Sequence, residues 1–252
     1  EWTVKAAEAG KHVLCEKPIV IALDELDRVE AAATTNGVTV FEAFMYLHHP
    51  QTRRALELVR NGEIGQVQMV NSWFHFYLPP ENSSNIRLSA DLVGGSIWDV
   101  GVYPNSMAIT MAGCGAPDRV YANQIIGETG VDVLTNGQLH FANGAVGQIS
   151  SGLRQPGRAA TFIVGDAGII RLNSPWKPDL SGPNGVALTR RDGSSELFEF
   201  PPVDPYLCEV EAMEACVLDG AAPIVSLSDS RSFLTSILAI NESAKSGEVV
   251  KV

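Results

Sequence analysis

The chain has 252 residues, 45% of them hydrophobic and 19% charged, and a formal net charge of −11. These are ordinary values for a soluble globular protein, and the length allows one large domain or two smaller ones around a packed core. So acidic a chain repels nucleic acid and anionic lipid, which argues against both as partners, and no apolar run is long enough to span a bilayer.

In chain order, Glu1 to Gly10 has no signal-peptide layout and reads as the tail of a helix, with Trp2, Ala6 and Ala9 on one face and Gly10 as its stop. That helix is already under way at residue 1, so an upstream portion is expected. Residues 12 to 15 predict a short buried strand, and Pro18 ends it. A helix follows from Glu25 to Thr35, with Asp24 as N-cap and Gly37 past its end, then a buried strand from Val38 to Glu42. Helix, strand, helix, strand is the rhythm of a parallel α/β sheet.

After Phe44 the pattern changes. His49-Pro50 opens a helix to Arg60, halted by Asn61-Gly62 and Gly65. Val67 to Phe76 predicts a strand, 79 to 90 a polar loop, and Ser96 to Met111 a helix kinked at Pro104. Strands are expected at Arg119 to Ile126, Val131 to Phe141, Ala145 to Leu153 and Ala159 to Val164, with a hairpin at Ala142-Asn143-Gly144. Successive strands without helices imply an antiparallel sheet. A Pro- and Gly-rich loop covers 173 to 185. Helices at 205 to 218 and 228 to 245 close the chain, the last with Ser228 or Asp229 as cap.

Lys17, in Glu16-Lys17-Pro18, stands at the C-terminal end of a parallel strand, where α/β folds bind ligands. Its bland alternative is a surface lysine in a loop. Asp99 and Tyr103 are four apart, on one face of the expected helix, and Gly94-Gly95 before them lets a backbone approach closely. The alternative there is an amphipathic helix with a partly buried tyrosine. An ammonium beside a phenol lowers its pKa, and the pair then moves a hydroxyl proton while a nicotinamide carries the hydride. Arg87 either binds a polar substrate or pairs with surface carboxylates. In the alternating run Trp73-Phe74-His75-Phe76, half the side chains face the core, and His75 is a candidate pocket residue. The five histidines form no ligand cluster, so no metal is expected. The four cysteines, Cys15, Cys114, Cys208 and Cys216, fit no zinc or redox spacing and read as small buried hydrophobes of a reducing, cytoplasmic compartment.

The segments AGKHVLCEKP, EAFMYLHHPQ, NIRL and GGSIWDVGVY, with the two closing helices, closely resemble the glucose-fructose oxidoreductase/inositol dehydrogenase/rhizopine catabolism (Gfo/Idh/MocA) family along essentially the whole chain. The resemblance implies a remnant of an NAD(P)-binding Rossmann domain over 1–44. It implies a C-terminal α/β domain over 45–252, built on a large, mostly antiparallel sheet flanked by helices. It makes Lys17, Asp99 and Tyr103 the catalytic residues, and places Glu16, Lys17, Pro18 and Glu42 toward the cofactor. Arg87, His75 and Tyr103 fall toward a sugar, polyol or trans-dihydrodiol substrate. The family motif ends in histidine in some branches and tyrosine in others. Tyr103 resembles the branch of glucose-fructose oxidoreductase, dimeric dihydrodiol dehydrogenase and NADP-dependent xylose dehydrogenase, which favours NADP slightly over NAD. A homo-oligomer, dimer or tetramer, through the C-terminal sheet is implied too. Two departures stand out: the third glycine of the usual triple is Ser96, and the glycine-rich turn of the Rossmann domain does not precede Lys17. Without that turn the chain alone is expected to bind cofactor poorly. The competing reading is a non-catalytic sheet domain for oligomerisation or ligand sensing; a weaker one is a cofactor-retaining glycosidase or a reductase of C=N or C=C bonds.

Overall fold

The computed structural model describes residues 1–82 and 84–252; Ser83, inside the loop expected at 79 to 90, lies outside the described residues. The chain opens with α1 (Trp2–Glu8), β1 (Val13–Glu16), α2 (Leu23–Asn36) and β2 (Val40–Ala43). β1 and β2 are parallel, in register from Val13↔Val40 to Glu16↔Ala43, with α2 as the crossover. Three expectations change here. The buried side of α1 is Ala7, whereas Trp2 is 78% exposed. β1 is half-buried rather than buried, because β2 flanks only one of its edges. The N-cap of α2 is Ala22; Asp24 and Glu25 lie inside the first turn, where their charge suits the helix dipole. Gly37 ends α2 in the left-handed region at φ 61°.

A short α3 (Met45–His48) leads into α4 (Pro50–Arg60), capped by His49, whose Nδ1 accepts from the Gln51 N–H. After β3 (Val67–Tyr77) come two 3₁₀ turns, Ile86–Leu88 and Ala90–Leu92, then a π-turn at Ile97–Gly101 that runs into α5 (Val102–Ala112). The irregularity expected at Pro104 thus sits just before it. Pro104 falls in the first turn of α5, and because α5 continues from the π-turn its missing N–H leaves the Asp99 carbonyl without a helical donor.

The rest supplies β4 (Arg119–Ile126), β5 (Asp132–His140), β6 (Val146–Gly152), β7 (Arg154–Gly165), β8 (Gly168–Leu172), β9 (Val186–Arg190), β10 (Ser195–Phe198), α6 (Pro205–Leu218), α7 (Leu227–Ser246) and β11 (Val250–Lys251). Nine strands make one sheet in the order β10-β9-β8-β7-β3-β6-β5-β4-β11. It is antiparallel except at its centre, where β3 and β6 run parallel. The expected hairpin joins β5 to β6, with Gly144 at φ 85°.

One face of the sheet is packed by α5 and α7 around Met107, Leu139, Ile163, Leu188 and Ile240. α7 also reaches the first unit. Leu234 joins Leu26 and Val29 in a second core, and Arg231 pairs with Asp27 at 2.6 Å and Glu30 at 2.7 Å on α2. Its N-cap is Ser226, two residues earlier than expected, and Asp229 closes the capping box. Of the cysteines only Cys216 is buried; Cys15 and Cys208 are half-buried and Cys114 is exposed. No helix among the described residues is long and apolar enough to cross a membrane.

Candidate active site

A cleft of about 950 Å³ opens between the end of β1 and the sheet, a size typical of small-molecule sites. Lys17 enters it from the β1 end, and Asp99 and Tyr103 from the π-turn and the start of α5. The π-turn frees a backbone acceptor. The residue five positions after Asp99 is Pro104, which has no N–H to offer a π-type bond. Lys17 Nζ instead donates to the Asp99 carbonyl at 2.5 Å, and stands 3.6 Å from Asp99 Oδ1. Arg87 Nε donates to the other carboxylate oxygen, Oδ2, at 2.6 Å. Residues 82 positions apart in sequence are thereby joined.

Tyr103 is 7% exposed, walled by Phe44, Phe74 and Trp176 with ring centroids 5.5–5.9 Å away. Its hydroxyl donates to Met45 Sδ at 3.8 Å. The Lys17 ammonium lies over the ring, 5.1 Å from its centroid. This corrects the expected electrostatics. Burial raises the phenol's pKa above its ordinary value, and Tyr206, Glu16 and Asp99 push it the same way. The ammonium meets the ring face rather than the oxygen, so it does not offset that desolvation. Lys17 is lowered, chiefly by burial, with Asp99 and Glu16 opposing. The resting pair is therefore a protonated phenol beside an ammonium that releases its proton more readily than usual.

The start of this helix is held by a carboxylate that sequence reading passed over. Asp132 on β5 accepts from the Ser96 hydroxyl at 2.5 Å, the Ile97 N–H at 3.0 Å and the Thr135 hydroxyl at 2.7 Å. Ser96, the departure from the glycine triple, thus supplies a bond glycine lacks. Gly95 is at φ 113°, and a Cβ there would lie 2.2 Å from Asp132 Oδ1.

The remaining sequence-predicted residues divide. Glu16 and Arg87 line the cleft with Lys17. Pro18 and Glu42 sit behind it, in a small hollow closed by Ser230 and Phe233 of α7. There Glu42 Oε1 accepts the Ile19 N–H at 3.0 Å, just past the cis Lys17–Pro18 peptide. His75 borders the cleft, but its Nε2 pairs with Ser150 Oγ at 2.8 Å, and its ring faces the hollow on the opposite side of the sheet. Sequence reading missed Met45, Arg158, Trp176, Lys177 and Tyr206, all on the cleft wall. A lone tryptophan in a Pro- and Gly-rich loop was the one available signal.

The apolar wall of Met45, Phe74, Tyr103 and Trp176, with Lys17 at its rim, fits the flat, partly apolar nicotinamide end of NAD(P). The pyrophosphate end has no counterpart here, since Gly10 is the sole glycine before Lys17 and no G-x-G-x-x-G turn lies in the chain.

Comparison with known proteins agrees with this geometry. Residues 1–44 match the model of an oxidoreductase family with an NAD-binding Rossmann fold, and residues 52–171 match the GFO/IDH/MocA C-terminal domain. The D-xylose 1-dehydrogenase (NADP(+)) 2 of Haloferax volcanii is 38% identical over 253 residues, covering 100% of this chain and 76% of that protein. The aldose-aldose oxidoreductase of Caulobacter crescentus, solved with glycerol, superposes with a TM-score of 0.88 at 26% identity, over 100% of this chain and 75% of that one. A 3-ketoreductase from Actinomadura kijaniata, solved with NADP and TDP-benzene, gives 0.84 at 29% identity, over 96% and 74%. The fold and the site define an oxidoreductase of the nicotinamide-dependent kind. The chain belongs to the Gfo/Idh/MocA family, with its Rossmann part represented by residues 1–44.

Proposed function

We propose that this oxidoreductase moves a hydride between NADP and a CH–OH group of a sugar of the aldose type, with Lys17, Asp99 and Tyr103 handling the proton. The observation that carries this is the junction of Lys17, Asp99, Arg87 and Tyr103 on one cleft wall. The xylose and aldose activities named for the relatives, and the NADP in two of their names, support the choice of substrate and cofactor.

A bound nicotinamide supplies or accepts the hydride. The chain's own residues do the rest. Tyr103 holds a proton on its phenol oxygen and gives it to the carbonyl oxygen of the oxidised sugar; in the other direction it takes the hydroxyl proton back. The Lys17 ammonium, aimed by the Asp99 carbonyl, stabilises the negative oxygen that develops between those states. Asp99 fixes Lys17 and Arg87 at once, so two cations of the cleft wall share one anchor. The aromatic wall excludes water and offers a flat face to the sugar ring.

The test uses the product of the whole gene, C1-deuterated aldoses, and both oxidised nicotinamides. Deuterium transferred to NADP from at least one aldose is the expected result. Failure of every aldose and polyol to reduce either nicotinamide would refute the proposal. We also propose that the open face of the sheet, where Tyr121 and the sheet-end residues Ile125 and Ile126 are exposed, joins copies of the chain. A monomer by light scattering at all concentrations would rule that out.

A further inference from the structure

Resting on the proton-handling roles read above, we propose that Asp132, a buried carboxylate outside the cleft lining, is a positioning residue for the reaction: it fixes Asp99, and through Asp99 the Lys17 ammonium and Arg87. Asp132 is 6% exposed on β5, and the Ser96 hydroxyl, the Ile97 N–H and the Thr135 hydroxyl that donate to it are all uncharged. A carboxylate that only capped a helix would stop there. This one also lies against Gly95, whose missing side chain permits the approach; a Cβ there would collide with Asp132 Oδ1.

Gly95 is the junction. Its N–H donates to the Arg87 carbonyl at 2.8 Å, and its own carbonyl accepts the Asp99 N–H at 3.1 Å. Side chains close the same circuit: Arg87 Nε donates to Asp99 Oδ2, and Lys17 Nζ donates to the Asp99 carbonyl. Arg87, Gly95, Asp99 and Lys17 thus form one connected set, and Asp132 ties that set to the nine-stranded sheet. The other end of the π-turn is tied beside it. Gly101 packs on Ser151 of β6, where a Cβ would lie 2.9 Å from Oγ, and Ser151 Oγ meets Ser96 Oγ at 2.9 Å. Asp99 stands midway between these two ties. The segment leading in is strained: Val93, a β-branched residue, holds φ 56°. Such a conformation persists only where its surroundings over-determine it, and Asp132 supplies three of the bonds that do so. Without Asp132 the turn relaxes, Asp99 shifts, and Lys17 and Arg87 lose their shared anchor. A displacement of about 1 Å at reacting groups costs on the order of 10²-fold in rate.

The experiment measures kcat of the whole gene product and its variants. Beside it runs a cofactor-free titration of Lys17, followed by carbon-13 NMR of the reductively methylated lysines and assigned by the signal missing from Lys17→Arg. Asp132→Ala should lower kcat by about 10²-fold. Asp132→Asn, which can place its amide oxygen where Oδ2 accepts, should recover kcat to within about tenfold of the wild type. In an Asp99→Asn background the Asp132→Ala change should cost less than about threefold, because the residue it acts through is already altered. The same loss in both backgrounds overturns the inference, since Asp132 then serves only the fold; so does an Asp132→Ala kcat within about threefold of the wild type. The charged groups facing Lys17 are Asp99, Glu16, Glu42 and Arg87. Asp99 favours the ammonium more than Glu16 does, and Arg87 opposes it less. Asp132→Ala should therefore move the Lys17 titration to lower pH, and an unchanged midpoint overturns the inference. If no sugar is turned over, the sugar-oxidoreductase reading fails separately and the Lys17 titration decides. Should Asp132→Ala fail to fold, Gly95→Ala parts the same contact from the other side, and the same criteria apply to it.

Discussion

Glu42 gives a prediction with a definite sign. Its carboxyl is 3% exposed, and burial pushes its pKa up to about 7 from an ordinary 4.5. Only partial relief comes from the Ile19 N–H and the Lys17 charge. The folded state therefore binds this proton more tightly than the unfolded chain. Its contribution to stability is complete below about pH 4.5 and is lost as pH rises through about 7. At roughly 1.4 kcal/mol for each pH unit, the loss is on the order of 3 kcal/mol across that window, a sizeable part of the 5–15 kcal/mol of a typical domain. Glu42→Gln keeps an oxygen for the Ile19 N–H and cannot ionise. The variant should match the wild type near pH 4.5 and exceed it by up to about 3 kcal/mol at pH 8. Urea denaturation of both proteins across that range measures the difference. Glu209, also buried and pushed up to about 7 by desolvation and by Glu16 and Asp204, titrates equally in both proteins and cancels. A difference that stays flat from pH 4.5 to 8 would show that Glu42 does not hold its proton in the fold.

Two further perturbations probe the start of the catalytic helix. Asp132→Ala strands the buried Ile97 N–H and the Thr135 hydroxyl, while Ser96 Oγ keeps its Ser151 partners, and should cost about 3 kcal/mol in denaturant stability, since each unpaired donor costs roughly 1–3 kcal/mol; a loss under about 0.5 kcal/mol would mean that water replaces the carboxylate. Gly95→Ala puts a side chain at φ 113° and against Asp132, and should cost about 2 kcal/mol or more, so an unchanged urea midpoint would contradict the backbone described here.

The parts of the site legible in the sequence were those whose chemistry is written locally. Lys17 followed a strand and preceded a proline; Asp99 and Tyr103 shared a helical spacing behind two glycines. The π-turn was not legible, because a proline in the middle of a helical pattern looks like a kink rather than a sign that the turn before it has widened. Strands β8 to β10 escaped because they are short and interleaved with charged and Gly-rich segments, so their pairing is decided by the sheet rather than by their own composition. Asp132, Arg158 and Trp176 reach the site only after that sheet closes, and no local spacing announces them. The phenol's titration was misread for a geometric reason: a lysine lowers a tyrosine's pKa from beside its oxygen, and this lysine lies over the ring.

The central claim, that Tyr103 carries the substrate proton beside Lys17, is tested most directly by steady-state turnover of Tyr103→Phe in the whole gene product with its best sugar and NADP. The expected result is a fall in kcat of about 10²–10⁴-fold, the usual range for a lost general acid or base, with the urea midpoint little changed because only the hydroxyl's weak contact to Met45 is removed. A variant that keeps kcat within about tenfold of the wild type would contradict it.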